Sequence, residues 1–298
     1  MKDYSWKESY NLGVPIIDRA HKKVFSVIQK MVNLLDEEDF LKHQHACIEG
    51  MKYVSSHMET HFQEEEEYMR SVDYANYEIH KRQHDRARYE LFPALEADVA
   101  RSGFDKESIR RLLGIGIGWL TAHMNEDLAI VGRGVNYQIY KDIPNQVAFI
   151  EKLSEVVIRV AEGTFQEKVR LLDENYRGQD FGDSISFECL YRSADGKQSL
   201  RMIVILEKRF VMFSTGMLFG EAFKEMNEMV VSASEEMTQM LFAQISSQFR
   251  NEENAMKLIR NQKIGTEIVR EYLEKKPPAY GLLFGTDYGY FAMCAYYT

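Results

Sequence analysis

"HFQEEEEYM", residues 61–69, sets one histidine and one aromatic ahead of four consecutive glutamates. Four like charges in a row repel one another, so the local structure must separate them. On a helix, residues four apart share a face, which aligns His61 with Glu65. If Met58, Phe62 and Met69 form the inward stripe, Glu65 lies on the same broad face. A buried carboxylate without a counter-charge is costly or takes up a proton. Two readings therefore compete. One is a solvated acidic face with an ordinary i,i+4 pair worth about 0.3 kcal/mol. The other turns one carboxylate inward, with His61, to hold a metal.

Outward from this stretch, the first 135 residues read as helical. "VFSVIQKMVNLL" places Val24, Val27, Ile28, Met31, Leu34 and Leu35 on one stripe. The segment from Leu41 to Met69 repeats the pattern at Ile48, Met51, Val54, Met58 and Phe62. A third segment runs from Tyr74 to Val99, with Pro93 inside it as a kink or packing device. A fourth runs from Lys106 to Val131. Its Gly114, Gly116 and Gly118 have a strand-like period of two, but "WLTAHMNEDLAI" continues at helical spacing. Four amphipathic helices with short connections predict an up-down bundle.

All eight histidines lie in the first 123 residues. His80 and His84 in "HKRQH" are four apart, as are His61 and Glu65, and His123 and Asp127. His21 stands alone on the first helix. Each helix thus offers at least one candidate ligand. A single His–carboxylate pair is surface decoration; pairs on successive helices converging on one core are the setting for a two-metal site. Imidazole with carboxylate suits iron, and the absence of thiolate pairs argues against structural zinc. His43, His45 and His57 do not fit the pattern and are assigned to the solvated surface.

"WKESYNLGVPIIDRAH", "HFQEEEEYM", "HKRQH" and "WLTAHMNEDLAI" together resemble the motifs of bacterial hemerythrins, in family order, over about 130 residues. The resemblance implies a four-helix bundle with two iron ions, carboxylate- and oxo/hydroxo-bridged, that binds dioxygen. By match, the ligands are His21, His61, Glu65, His80, His84, His123 and Asp127. Glu65 and Asp127 would bridge the irons, while Glu64, Glu66 and Glu67 would face solvent or support the ligands. Trp119, Leu120 and Met124 match the apolar pocket at the open coordination position; plain core packing is the alternative role. Five histidines with two carboxylates form a nitrogen-rich set, consistent with reversible dioxygen binding rather than oxygenation. The family places its last aspartate five residues after its last histidine, whereas His123 and Asp127 are four apart. Asp127 can still share a face with His123; alternatively Glu126 or water takes part.

After Gly132 the texture changes. "GRGVNYQIYKDIPNQ" reads as a break, with residues 136–146 as the linker between domains 1–135 and 147–298. "FIEKLSEVVIRVA" reads as a helix. "SISFECLYRS" (184–193) and "QSLRMIVILEKRFVMFST" (198–215) read as strands joined at "ADGK". "MNEMVVSASEEMTQMLFAQISSQF" reads as a long helix, and "AYGLLFGTDYGYFAMCAYYT" as a terminal hairpin. The expected fold is therefore multidomain: an all-α up-down bundle followed by an α+β domain. The second domain resembles the CheC/CheX type of chemotaxis phosphatase. The family's Glu-x-x-Asn pair corresponds to Glu236 and Gln239 in "EEMTQM". The acid of that pair would engage a lysine of a phosphorylated response regulator, and the amide would orient the attacking water. Glutamine lengthens the amide arm by one methylene, and catalytic positioning is sensitive at the ångström scale.

Composition bounds the rest. A 298-residue chain with 45% hydrophobic and 28% charged residues predicts two ordinary folded domains. A net charge of −9 argues against nucleic acid and anionic membrane as partners. Three widely spaced cysteines and a polar N-terminus predict a reducing, cytoplasmic setting, with each cysteine a small buried hydrophobe. The expected function is a diiron sensor of dioxygen or nitric oxide coupled to a signalling domain that forms a homodimer. Two alternatives stand beside it: a dioxygen store or scavenger with a dimerising second domain, and a metal-gated aspartyl-phosphate phosphatase.

Overall fold

The computed structural model describes residues 6, 8–35, 40–133, 140, 145–178, 182–193, 195–220, 222–249 and 256–297. The chain divides into two compact units. One holds residues 1–136 with 216–221 and 227–233; the other holds 137–215, 222–226 and 234–298. Most of the expected linker, 136–139 and 141–144, lies outside the described residues. No helix among the described residues is long and apolar enough to cross a membrane.

In the helical unit, α1 spans Pro15–Leu35, α2 Phe40–Ser71, α3 Tyr77–Arg86, α4 Phe92–Arg101 and α5 Lys106–Ile130. α1 packs on α2 and α5, α2 on α3, and α4 on α5. Of the expected stripes, Val24, Ile28, Met31 and Leu35 of α1 and Met58 and Phe62 of α2 are buried, while Val27, Ile48, Met51 and Val54 are half-buried; Phe25 of α1, Met69 of α2 and Leu113, Ile117 and Leu120 of α5 complete the core. Each such large side chain contributes about 2 kcal/mol on leaving water. Asp105 caps α5 by accepting from the Ser108 N–H at 2.8 Å. The glycines do not break α5.

The expected third helix is interrupted. α3 and α4 are joined by a π-helical turn, Ala87–Leu91, in which the Phe92 N–H donates to the Ala87 carbonyl, an i→i−5 bond. Pro93 follows at the start of α4 and has no N–H to give. The extra residue in this turn absorbs the break that a proline makes in an α ladder.

The second unit is a six-stranded antiparallel sheet in the order β1-β5-β6-β3-β2-β4, with helices packed on it. Its strands are β1 Arg170–Asp173, β2 Ser184–Ser193, β3 Ser199–Glu207, β4 Met256–Ile264, β5 Tyr280–Gly285 and β6 Tyr290–Tyr297. Its helices include α6 Gln146–Phe165 and α9 Thr266–Lys275. α7 is Lys208–Phe219 and α8 is Glu228–Gln248. On one face, Ile203, Ile205, Ala292 and Cys294 pack with Val269 of α9 and Tyr176. On the other, Phe165 of α6 meets Phe210 and Phe291, and Phe291 stacks on Phe284.

The stretch 198–215 departs from expectation. Its first half is β3, but residues from Lys208 onward form α7. Phe210, Val211, Ser214, Thr215 and Leu218 are buried at helical, not alternating, spacing. An apolar run buried on all sides leaves helix and strand indistinguishable until its charged breaks, here Glu207–Arg209, are weighed. Cys47, Cys189 and Cys294 are free and buried, and burial pushes the Cys47 and Cys294 thiols up to about 12.

Candidate metal centre

The loop before α1 is fixed by one carboxylate. Asp18 Oδ1 accepts from the Leu12 N–H at 2.7 Å and Oδ2 from the Gly13 N–H at 3.0 Å. His21 follows three residues later on α1 and points into the bundle, fully buried. The i,i+4 spacings place the remaining candidates: His61 and Glu65 on α2, His80 and His84 on α3, His123 and Asp127 on α5. All are buried, at 0–2% exposure.

These side chains meet. Two sets of donor atoms form, one from His21, His61, Glu65 and His123, the other from Glu65, His80, His84 and His123; within each set the atoms lie within 4.8 Å of one another. Glu65 and His123 belong to both. Glu65 Oε2 lies 3.3 Å from His61 Nε2, and Oε1 lies 3.1 Å from His80 Nε2. Asp127 Oδ2 lies 3.4 Å from His21 Nε2, and Oδ1 lies 3.4 Å from His80 Nε2. His123 Nε2 and Asp127 Oδ1 are 3.6 Å apart, so the four-residue spacing still turns both inward.

The polar atoms of the cluster have almost nothing to bond. Every side-chain nitrogen and oxygen of His21, His61, Glu65, His80, His123 and Asp127 is buried without a hydrogen-bond partner among the described residues, as is Nε2 of His84. Each such orphan costs about 1–3 kcal/mol. A fold does not concentrate these costs at one point unless a cation offsets them. Imidazole and carboxylate without thiolate is a donor set suited to iron.

The electrostatics agree. Burial pushes the His21 and His84 imidazoles well below their ordinary value, helped by neighbouring histidines, and pushes His61 down to about 4. These rings are therefore neutral, with lone pairs available. At His80 burial also pulls downward, but the adjacent Glu65 carboxylate outweighs it and raises the value. Burial would raise Glu65, yet His123 and His80 hold it well below the carboxylate range. Asp127 goes the other way, raised well above its ordinary value by burial and then by the charge of Glu65. Two carboxylates in one apolar enclosure do not both stay ionised unless cations join them.

Residues outside the expected ligand set support it. Glu66 is buried and accepts from His84 Nδ1 at 3.1 Å. Arg88, in the π turn, reaches Glu59 at 2.6 Å, Asp85 at 2.9 Å and Glu66 at 3.6 Å. Glu126 Oε2 lies 3.7 Å from His80 Nδ1. The Tyr74 hydroxyl is buried and keeps its proton, through burial first and then the negative charge of Glu126, Asp127 and Glu65. The glutamate run resolves as Glu65 and Glu66 buried, Glu64 half-buried and Glu67 exposed. The sequence groups Glu66 with Glu64 and Glu67 as solvent-facing or supporting; its helix face, one turn from Phe62, is the one signal that could have set it apart.

Trp119, Leu120 and Met124 are buried. Trp119 stacks on His123 with ring centroids 4.6 Å apart, and Phe62 stacks on His84 at 4.2 Å. His45 is exposed. His57 is not fully solvated as expected: it is half-buried, stacked on Tyr53, with Nε2 3.3 Å from the Ala20 carbonyl. The side chain of His43 lies outside the described residues. In the second unit, Glu236 and Gln239 are both buried, and Gln239 Oε1 accepts from Asn261 Nδ2 at 2.9 Å.

Residues 12–130 match the family described as hemerythrin HHE cation binding domain. A curated relative, Bacteriohemerythrin of Clostridium acetobutylicum, is 28% identical over 125 residues, covering 41% of this chain and 94% of that protein. Among solved structures, the chemotaxis protein CheX from Vibrio vulnificus is similar at 12% identity and a TM-score of 0.37, over 50% of this chain and 96% of that one. A CheC-like superfamily protein from Shewanella sp. PV-4 is similar at 14% identity and a TM-score of 0.36, over 51% and 99%. The N-terminal unit thus carries a hemerythrin domain with a metal-binding site of iron-compatible chemistry, followed by an antiparallel α+β domain.

Proposed function

We propose that His21, His61, Glu65, His80, His84, His123 and Asp127 hold two iron ions, and that the centre binds dioxygen or nitric oxide reversibly as the input of a signalling protein. The supporting observation is the pair of overlapping buried donor sets that share Glu65 and His123. A single ion held by the set of His21, His61, Glu65 and His123 leaves the buried His80 and His84 without one. When bound, a pair of irons supplies an open coordination position and the electrons that dioxygen binding needs. The chain's own residues do the rest. Neutral imidazoles present lone pairs, Glu65 and Asp127 supply two negative charges between the sets, and Phe62, Trp119, Leu120 and Met124 exclude bulk water.

Metal analysis with an ultraviolet–visible spectrum of the aerobic protein tests this reading. It expects two irons per chain and absorption that changes reversibly as oxygen is removed. A colourless, iron-free and stable chain would end it.

The second domain, in this reading, passes the state of the centre to a partner. Coupling requires the bundle to have two arrangements that differ in ligand affinity. Partner binding measured with and without dioxygen tests it, and equal affinity in both conditions rejects it. Hydrolysis of an acyl phosphate by Glu236 and Gln239 would require both buried side chains to be uncovered. Turnover by the parent that is lost in Glu236→Ala is the observation such an activity needs.

A further inference from the structure

Beside the histidines, the core of the bundle does not close. An apolar pocket of about 60 Å³, open toward solvent where Ser55 is exposed, lies among α1, α2, α4 and α5, walled by side chains that include Ile28, Met31, Met58, Leu95 and Leu113. Ser55 and Glu96 are its polar lining residues; they hydrogen-bond to each other and join α2 to α4 at the rim. One water needs roughly 10–15 Å³ measured in the same way, together with two to four polar partners. The space is sufficient, but the wall offers no such partners beyond the rim. An apolar wall of this kind gives water few partners and takes small apolar guests.

A glycine keeps the space open. Gly116 lines the cavity, and a Cβ built there would meet no heavy atom within 4 Å. Glycine within a helix costs about 1 kcal/mol relative to alanine. Close packing does not explain that cost here, since alanine would fit. On the side of the cluster, Trp119 both lines the cavity and stacks on His123. One indole therefore stands between the void and the donor atoms.

We propose that this cavity is a guest chamber for small, uncharged, apolar molecules of diatomic-gas size, and that it supplies them to the metal centre past Trp119. The destination rests on the function proposed above; occupancy of the chamber does not. The full-length chain, metal-free and iron-loaded, is exposed to xenon under pressure and examined by crystallography or by xenon-induced NMR shifts. Xenon is expected beside Gly116, Ile28 and Leu113 in both forms. Gly116→Leu is expected to abolish that site. In the iron-loaded protein it should slow dioxygen association and dissociation together, several-fold, leaving the equilibrium affinity and the visible spectrum unchanged. Ile28→Phe fills the void from α1 and serves if Gly116→Leu does not fold. Absence of xenon from the parent overturns the chamber. Loss of xenon with unaltered gas kinetics overturns the supply route. Xenon bound by a chain that takes up no iron upholds the chamber and rejects only its destination.

Discussion

Glu66 Oε1 stands 3.1 Å from Nδ1 of His84, and the same oxygen lies 3.6 Å from Nη2 of Arg88. A carboxylate only accepts, so His84 donates from Nδ1 and keeps its Nε2 lone pair for the cluster. Glu66→Ala is expected to weaken metal binding by about 10–100-fold, and Glu66→Gln by less, because the amide carbonyl can still accept. Competition against a chelator of known affinity measures both. Unchanged affinity in Glu66→Ala would remove this role.

Acid should destabilise the metal-free chain. His61 is pushed from the ordinary 6.5 down to about 4, and His21 and His84 move in the same direction. The unfolded chain therefore takes up these protons first as pH falls, so stability is full above 6.5 and declines toward 4. His80, raised by Glu65, opposes this: its contribution is present at low pH and is lost as pH rises through its folded value. Asp127, raised by burial, opposes it in the same sense as His80, but three rings outweigh these two, so thermal midpoints of the metal-free chain should fall on acidification. Iron release should follow the same course, because protons compete for the same lone pairs. A midpoint that rises as pH is lowered from 6.5 would contradict the directions assigned to these rings.

Asp127→Asn should have effects of opposite sign on the two forms. Without metal, the raised Asp127 value means that its charged form penalises the fold as pH climbs above the ordinary 3.8. An amide carries no such penalty, so the metal-free variant should be more stable than the parent near neutral pH. The same change removes one of two anionic ligands and should lower iron content. Calorimetry and metal analysis on one preparation read both signs.

Asp18→Ala should cost about 2 kcal/mol, since one buried carboxylate accepts two backbone N–H groups. Denaturant unfolding reads the loss. Retention of full stability would show that solvent satisfies Leu12 and Gly13 equally well.

In the second unit, Glu188 is buried in β2 and held by Arg201 Nε at 2.8 Å, Arg260 at 3.2 Å and Gln262 at 3.2 Å. Arg201→Met should destabilise that unit by about 2 kcal/mol, because it strips a buried charge of its nearest partner. Adding Glu188→Met should recover most of the loss. Failure of the double variant to recover would mean that packing, including Arg201 over Tyr272, dominates.

The bundle was readable because its apolar stripes repeat at helical spacing and its histidines sit four apart, so periodicity alone turned them inward. Glu65 could be separated from its neighbours because only it pairs with His61 at i,i+4. Glu66 could not be placed with equal sharpness: its function depends on where α3 puts His84, a tertiary fact absent from α2's own pattern. α7 was missed because the expected strand ran across the charged break at Glu207–Arg209, with buried apolar residues on both sides of it. β1, β4 and α9 carried weaker marks. β4 is charged and half-exposed, which hides its alternation. α9 has Val269, Tyr272 and Leu273 at helical spacing, bounded by Gly265 and by the prolines after Lys276, a signature that was there to be read.

The π turn at Ala87–Leu91 behaves as a built-in slack of one residue. Deleting a single position inside it would let regular i→i−4 bonding resume without rotating anything that precedes Ala87 or follows Leu91. His80 and His84 would keep their aim, and α4 its seat on α5. Removing one residue almost anywhere else in α1, α2 or α5 would swing every later side chain by about 100° and scatter the cluster. Length change in this bundle is therefore tolerated at one wrinkle, and that wrinkle also carries Arg88.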